Sequence, residues 1–130
     1  MEKGPQSIVS QCKSYAREIT QHLGNGMTED VYHQAFAVLL KNEHVSFRTE
    51  MPIPILFYNT RVGTMRCDLF IDDTVVIELK AKSKLQPCDK FQLRKYMRAL
   101  GVQHGLLINF CKGSNKLQFV TITLSTKKSN

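Results

Sequence analysis

The alternation of apolar and polar positions divides the chain into helical and extended segments. Apolar residues recur at steps of three and four from Ile8 to Leu23, which predicts an amphipathic helix. A second helix is expected from about Thr28 to Asn42, with Thr28 as its N-cap. Beyond it, alternating segments rich in β-branched and aromatic residues predict strands. The predicted order is two helices, a three-strand meander, a helix, a strand and a final C-terminal strand, which is typical of an α/β protein.

Two of the predicted strands each carry an acidic residue among apolar neighbours. Asp68 lies in the segment from Thr64 to Ile71, and Glu78 lies in the segment from Val75 to Lys80. Because side chains alternate across a strand, the first segment is expected to place its apolar residues on one face and Asp68 on the other. The apolar residues of that face are Met65, Cys67, Leu69 and Ile71.

The length of the turn between these strands decides whether the two acids meet. A three-residue loop, Asp72 to Thr74, sets Asp68 opposite Glu78 and Arg66 opposite Lys80, while the apolar residues stay together. A two-residue loop would mix core and solvent positions and is rejected. Opposed side chains have Cβ atoms about 5 Å apart, and two carboxylates that close repel each other unless a cation lies between them. Oxygen ligands on a rigid hairpin suit Mg²⁺ or Mn²⁺.

The two acids also fit a known signature. Asp68 followed by Glu78-Leu79-Lys80 resembles the motif of the PD-(D/E)XK nuclease superfamily, in which an Asp on one strand precedes Glu or Asp, any residue and Lys on the next. Gln92 and Tyr96 match the glutamine, three residues, tyrosine motif of RecB-like members. Three further stretches resemble the small GxxExxR group of the superfamily: Gly26-Met27-Thr28-Glu29, Pro52-Ile53-Pro54-Ile55 and Gly105-Leu106-Leu107-Ile108-Asn109-Phe110. The likeness runs from about residue 23 to about residue 120.

The resemblance implies a restriction-endonuclease-like fold. Such a fold has a central mixed β-sheet flanked by helices in the order αβββαβ, here with an extra N-terminal helix and a C-terminal strand. The resemblance also implies a metal site held by Glu29, Asp68 and Glu78, and a catalytic Lys80 that orients or activates the attacking water. The remaining catalytic residues that it implies lie one turn apart on one helix face, and they are Gln92 and Tyr96.

Each of these residues also has a purely structural explanation. An acid in the first turn of a helix, such as Glu29, is favoured by the helix dipole alone. Lys80 could simply pair with a neighbouring carboxylate, and Gln92 and Tyr96 could be an ordinary helix pair. The four histidines show no ligand spacing. Among them only His33 is kept in reserve, because it follows Glu29 by one turn and shares its face.

Composition and charge agree with a protein that binds a polyanion. The 130 residues are 42% hydrophobic, which is enough for one domain with a core, and the net charge is +7. An excess of positive charge favours nucleic acid through counterion release, although basic surfaces also serve solubility. The basic residues expected to contact phosphates follow the predicted strand that carries Glu78 and lie along the next predicted helix: Lys82, Lys84, Lys90, Arg94, Lys95 and Arg98.

The remaining sequence features concern the compartment and the chain ends. The four cysteines show no CxxC spacing, so neither a zinc ribbon nor a redox pair is indicated, and free thiols fit a reducing compartment. No apolar run resembles a signal peptide or reaches membrane-spanning length. We therefore expect an intracellular protein, cytoplasmic or nuclear, with no membrane partner. A single domain over residues 1–130 is expected, with residues 1–6 and 125–130 frayed.

Three functions are compatible with these features. The leading hypothesis is a metal-dependent nuclease that hydrolyses phosphodiester bonds by water attack at a Mg²⁺-bound phosphate, with DNA favoured over RNA as the substrate. The second is a catalytically silent module that keeps the nuclease fold and binds nucleic acid or a protein partner. The third is a protein-interaction subunit whose exposed edge strand near Ile53 pairs with a partner. A homodimer is a further hypothesis, because two copies of the chain would allow paired cuts.

Overall fold

The strands of the protein form one sheet in chain order. The computed structural model describes residues 4–125. Its helices are α1 (Pro5–Leu23), α2 (Glu29–Asn42) and α3 (Pro87–Leu100). Its strands are β1 (Phe47–Phe57), β2 (Thr60–Ile71), β3 (Val75–Lys80), β4 (His104–Phe110) and β5 (Leu117–Thr123). Neighbouring strands are antiparallel except β3 and β4, which are parallel and joined through α3. The predicted order of elements is confirmed.

Helices cover both faces of the sheet. α1 and α2 pack on one face, against side chains that include Ile77 and Leu106. α3 packs on the other face, against side chains that include Val76 and Leu107. This double burial explains why β3 and β4 are nearly continuous apolar runs. Glu78 is a buried acid among the buried apolar residues of β3, and only Lys80 at the end of the strand is partly exposed.

β2 changes face partway along its length, contrary to the sequence pattern. Leu69 and Ile71 pack on the α1–α2 side, whereas Cys67 packs on the α3 side together with Met65. The change of face coincides with an irregularity in the partner strand, where Glu50 of β1 has a left-handed φ of 47° and its pair with β2 is missing. Simple alternation assumes an unbroken strand. The prediction that these apolar residues of β2 share one face was therefore wrong.

β1 and β2 continue beyond β3 as a two-stranded arm. The β2–β3 pairing covers only the last three residues of β2, but the β1–β2 pairing continues to Phe57 and Thr60. We call residues 52–66 the arm. Its tip is the two-residue turn Tyr58-Asn59, in which both residues have positive φ, 49° and 60°, as is common for hairpins with two-residue loops. Asparagine tolerates this conformation well, whereas a bulky tyrosine is strained by it.

The helix ends follow ordinary capping rules. α1 begins at Pro5 with Gly4 as its N-cap, and proline suits this position because it needs no N–H partner there. Residues 5 and 6, which were expected to be frayed, lie within α1, while residues 1–3 and 126–130 lie outside the described residues. Thr28 caps α2 as predicted, since its hydroxyl accepts the Val31 N–H at 3.5 Å. Within residues 4–125, no helix combines the length and the apolarity needed to cross a bilayer.

Candidate active site

The β2–β3 hairpin sets the spacing of the two acids. Its loop has three residues, Asp72 to Thr74, and the Thr74 N–H donates to the Ile71 carbonyl at 3.0 Å. Both aspartates of the loop adopt left-handed φ values, 53° and 54°, which close the tight turn. The pairs above the loop keep one register, and Asp68 and Glu78 come next in it. The predicted three-residue loop and the register of the pairs next to it are confirmed, whereas the predicted opposition of Arg66 and Lys80 lies beyond these pairs and stays a prediction.

The backbone pairing between β2 and β3 stops where the two acids meet. The Asp68 N–H donates to Oε1 of Glu78 at 3.1 Å instead of to a carbonyl. The Leu79 N–H donates to Oδ2 of Asp68 at 2.9 Å. Each carboxylate thus takes the place of a backbone carbonyl as the acceptor for the neighbouring strand, and the donating N–H group holds the carboxylate in place. These bonds engage Oε1 of Glu78 and Oδ2 of Asp68.

Burial of Glu78 next to Asp68 disfavours the ionised form of Glu78. Glu78 is 2% exposed, and this burial, followed by the nearby Asp68 carboxylate, raises the pKa of Glu78 to about 8. The Asp68 N–H and the Lys80 ammonium lower this pKa but do not offset the burial. A buried carboxylate beside a second one ionises at neutral pH only when positive charge is supplied. The pair is therefore suited to a cation.

Lys80 and α3 complete one side of the site. The Lys80 ammonium donates to Oε1 of Gln92 at 3.0 Å, and it has no ion-pair partner in the part of the chain that the structure describes. Tyr96 lies one turn after Gln92, and its burial, followed by the charges of Glu78 and Asp68, raises the pKa of Tyr96 to about 12. The structure thus gathers all the residues predicted to be catalytic except Glu29.

α2 reaches the same part of β2 through His33. Its Nε2–H donates to the Asp68 carbonyl at 2.8 Å, and its Nδ1 lies 3.6 Å from Oε1 of Glu50. Potential ligand atoms of Asp30, His33 and Glu50 lie within 4.8 Å of one another. Carboxylate oxygens and an imidazole nitrogen are ligands that a divalent metal accepts. Asp30 and Glu50 were not predicted, because no sequence spacing relates α2 to the kinked residue of β1.

Comparison with known proteins shows the family of the chain. The profile of the PD-(D/E)XK nuclease superfamily matches residues 6–122. The chain belongs to the PD-(D/E)XK nuclease superfamily. A solved structure described as the crystal structure of SSO0001 shares the fold, with a TM-score of 0.56, 19% sequence identity and coverage of 92% of this chain. The match spans 62% of the SSO0001 chain. The predicted restriction-endonuclease-like α/β fold is confirmed. Comparison with curated proteins found no match.

Glu29 stands apart from the other site residues of this superfamily member. It is the first residue of α2 and is exposed. Within residues 4–125, no group of ligand atoms lying within 4.8 Å of one another combines Glu29 with Asp68 and Glu78. A carboxylate at a helix N-terminus is favourable without any metal. The role of Glu29 as a metal ligand stays a prediction.

A tyrosine anchors the segment around Glu29. Where the GxxExxR pattern of the superfamily has arginine, three residues after Glu29, this chain has Tyr32. Its hydroxyl donates to the Gly24 carbonyl at 2.9 Å and accepts the Met27 N–H at 3.1 Å. Its ring stacks on Phe110, with centroids 3.9 Å apart. Tyr32 therefore fixes the loop before α2 against β4.

The basic residues predicted to contact nucleic acid differ in their surroundings. Lys82 donates to both carboxylate oxygens of Asp89 at 3.1 Å, near the start of α3. Lys95 lines a groove between the arm and α3, while Lys90 lines a separate cavity beside β5. The other three keep at least partial solvent exposure: Lys84, Arg94 and Arg98. The contact of these six residues with phosphates stays a prediction.

Proposed function

We propose that the protein is a metal-dependent nuclease that hydrolyses phosphodiester bonds of DNA. The observation that carries the proposal is the break in the β2–β3 pairing, where Asp68 and Glu78 are held side by side through backbone N–H groups. Lys80 lies close enough to lower the pKa of Glu78. Membership of the PD-(D/E)XK nuclease superfamily supports this chemistry. The net charge of +7 supports a polyanionic substrate.

The chemistry of the two acids fits Mg²⁺ or Mn²⁺. Asp68 and Glu78 offer the hard oxygen ligands that these ions prefer. The raised pKa of Glu78 means that an ionised pair requires added positive charge. Asp68 and Glu78 would hold the ion, and Glu29 is the third ligand that we propose. When bound, such an ion supplies Lewis acidity to a phosphate oxygen and lowers the pKa of a water ligand.

Lys80 is placed to position the attacking water. Its ammonium is held by Gln92 rather than by a carboxylate, so other N–H donors of Lys80 remain for a water or for a phosphate oxygen. A fixed positive charge beside the phosphate stabilises the negative charge that develops in the transition state. Gln92 is therefore a positioning residue that acts through Lys80.

Cleavage of labelled DNA in Mg²⁺, in Mn²⁺ and in EDTA tests the proposal. We expect cleavage only with a metal ion, and a rate lower by roughly 100-fold or more for Asp68→Asn and for Lys80→Met. One control is Asp72→Asn, an exposed acid in the same hairpin whose left-handed φ of 53° suits asparagine. A second control is Lys41→Met, at an exposed lysine of α2.

Two results would count against this function. Cleavage that survives Asp68→Asn or EDTA would point to a contaminating enzyme or to a different mechanism. Binding of nucleic acid without cleavage in either metal would favour the catalytically silent module. Either result leaves the fold assignment unaffected, because that rests on the match over residues 6–122.

A further inference from the structure

A groove between the arm and α3 leads to the candidate active site. Its volume is about 750 Å³, within the range of ~300–1,000 Å³ that is usual for ligand-binding clefts. The arm contributes Ile55, Met65 and Arg66 to its walls, and α3 contributes Phe91 and Lys95. The groove is thus formed by two elements that are far apart in sequence, and it combines apolar and basic side chains.

Phe91 is the exposed aromatic residue of this groove. It is 59% exposed, whereas Leu93 and Met97 of the same helix are fully buried in the core. Lys95 follows Phe91 by one turn of α3, and Arg66 lines the groove from the arm. An aromatic ring flanked by cations can stack an unpaired base and attract the phosphates on either side of it.

The acid in the groove wall does not cancel this positive charge. Asp89 is buried, and both of its carboxylate oxygens accept from the Lys82 ammonium at 3.1 Å. It also accepts the Gln86 N–H at 2.7 Å. Its charge is therefore compensated inside the protein. Arg66 and Lys95 have no ion-pair partner among residues 4–125, so their charges remain available to a ligand.

The inner end of the groove meets the residues proposed for catalysis. Gln92 and Tyr96 line the groove, and Gln92 accepts from the Lys80 ammonium at 3.0 Å. The charges of Glu78 and Asp68 reach far enough to raise the pKa of Tyr96. A polymer bound along the groove would consequently bring its backbone next to the two acids.

Other polymers fit this surface less well. A protein strand would have to pair with the free edge of β1, but Pro52 and Pro54 both stay paired with β2, so their nitrogens face outward and offer no N–H donor to a partner. This disfavours the edge pairing expected near Ile53. A duplex hides the faces of its bases, which then cannot stack on Phe91. A single strand exposes both its bases and its phosphates.

We infer that the groove binds single-stranded nucleic acid, with a base stacked on Phe91 and phosphates held by Arg66 and Lys95. The inference rests on the proposed nuclease function, because the bound strand is the substrate that the groove delivers to Asp68 and Glu78. It narrows the substrate class to unpaired segments, such as free strands, overhangs and flaps.

Binding measured without turnover tests the inference. Fluorescence anisotropy of a labelled DNA single strand, about 16 nucleotides long, is recorded in EDTA with the Asp68→Asn variant, and the blunt duplex of the same sequence is the comparison. We expect tighter binding of the single strand. Adding Phe91→Ala should weaken it by roughly 5- to 150-fold, the equivalent of about 1–3 kcal/mol for one stacked base. Phe91→Tyr should retain it, and Val38→Ala, which truncates an exposed apolar residue of α2, should leave it unchanged.

The outcomes separate the groove from the chemistry. Equal affinity for the single strand and the duplex would overturn the inference, as would unchanged affinity in both Phe91→Ala and Lys95→Met. If these variants lose binding but the native protein cuts no DNA with either metal, single-strand binding in the groove is supported and the nuclease proposal is refuted. If the Phe91→Ala variant of the otherwise native protein cuts single-stranded DNA at the native rate, the nuclease proposal is supported and the role of the groove in substrate binding is refuted.

Discussion

The titration of Glu78 should control the stability of the protein between about pH 4.5 and 8. The pKa of this residue is about 8 in the folded protein, against an ordinary value of 4.5. Between these values the folded state keeps a proton that the unfolded state has released, so the free energy of unfolding falls as the pH rises and levels off above the folded pKa. At about 1.4 kcal/mol per pKa unit, the loss is on the order of 5 kcal/mol. That is a large share of the ~5–15 kcal/mol that stabilises a typical domain.

Urea unfolding in EDTA, repeated from about pH 5 to 9, measures this loss. Glu78→Gln keeps an amide oxygen for the Asp68 N–H, so we expect its unfolding free energy to vary little over this range and to exceed that of the native protein above pH 8. Asp68→Asn should move the loss to lower pH, because the Asp68 charge is the second cause of the raised pKa. Saturating Mg²⁺ at pH 8 should stabilise the native protein but not Glu78→Gln. Parallel pH curves for the native protein and Glu78→Gln would refute the reasoning.

Three further changes test other parts of the structure. Gln92→Leu should free the Lys80 ammonium and lower kcat for DNA cleavage by about 10- to 100-fold with little change in KM; an unchanged kcat would show that Lys80 needs no such support. Tyr58→Asn should raise the free energy of unfolding by about 1 kcal/mol, because asparagine tolerates the φ of 49° at the arm tip, and a lower urea midpoint would contradict this. Gly105→Ala should destabilise the fold by about 1–3 kcal/mol, since the added Cβ would lie 2.6 Å from Sδ of Met97 and 3.1 Å from a methyl of Leu93. An unchanged midpoint for this variant would mean that α3 can move away from β4.

The hairpin and its acids could be predicted from the sequence because several independent constraints agree there. The strand period and the loop length select the register that brings Asp68 beside Glu78, and the separation of apolar from polar residues supports it for the part of β2 next to the loop, Leu69 to Ile71. Asp72 and Asp73 are residue types that tolerate the left-handed turn. The segment His104–Phe110 was similarly clear, because a parallel strand buried on both faces requires a continuous apolar run.

The features that could not be predicted depend on contacts between distant segments. Glutamate is not a residue type that favours a left-handed conformation. The sequence therefore does not predict the left-handed φ of Glu50 or the change of face at Cys67. Lys82 is engaged by Asp89 only because of where α3 begins. In the sequence, Phe91 is an ordinary apolar residue of a predicted helix. Its position opposite Arg66 in the groove follows only from how the arm packs beside α3.

The interruption of both strand pairings at Asp68 explains how polar groups can be buried in the middle of this sheet. Asp68 lacks its pair with Glu50 on the β1 side, and on the β3 side the pairing ends at the next residue. Its N–H is taken by the Glu78 carboxylate at 3.1 Å and its carbonyl by His33 at 2.8 Å, so neither backbone group is left without a partner. Glu78 and His33 thus replace the missing backbone bonds of Asp68 as well as shaping the site. Where the pairing is broken, the N–H groups of Asp68 and Leu79 are free to donate to the two carboxylates, and these hydrogen bonds offset part of the cost of burying them.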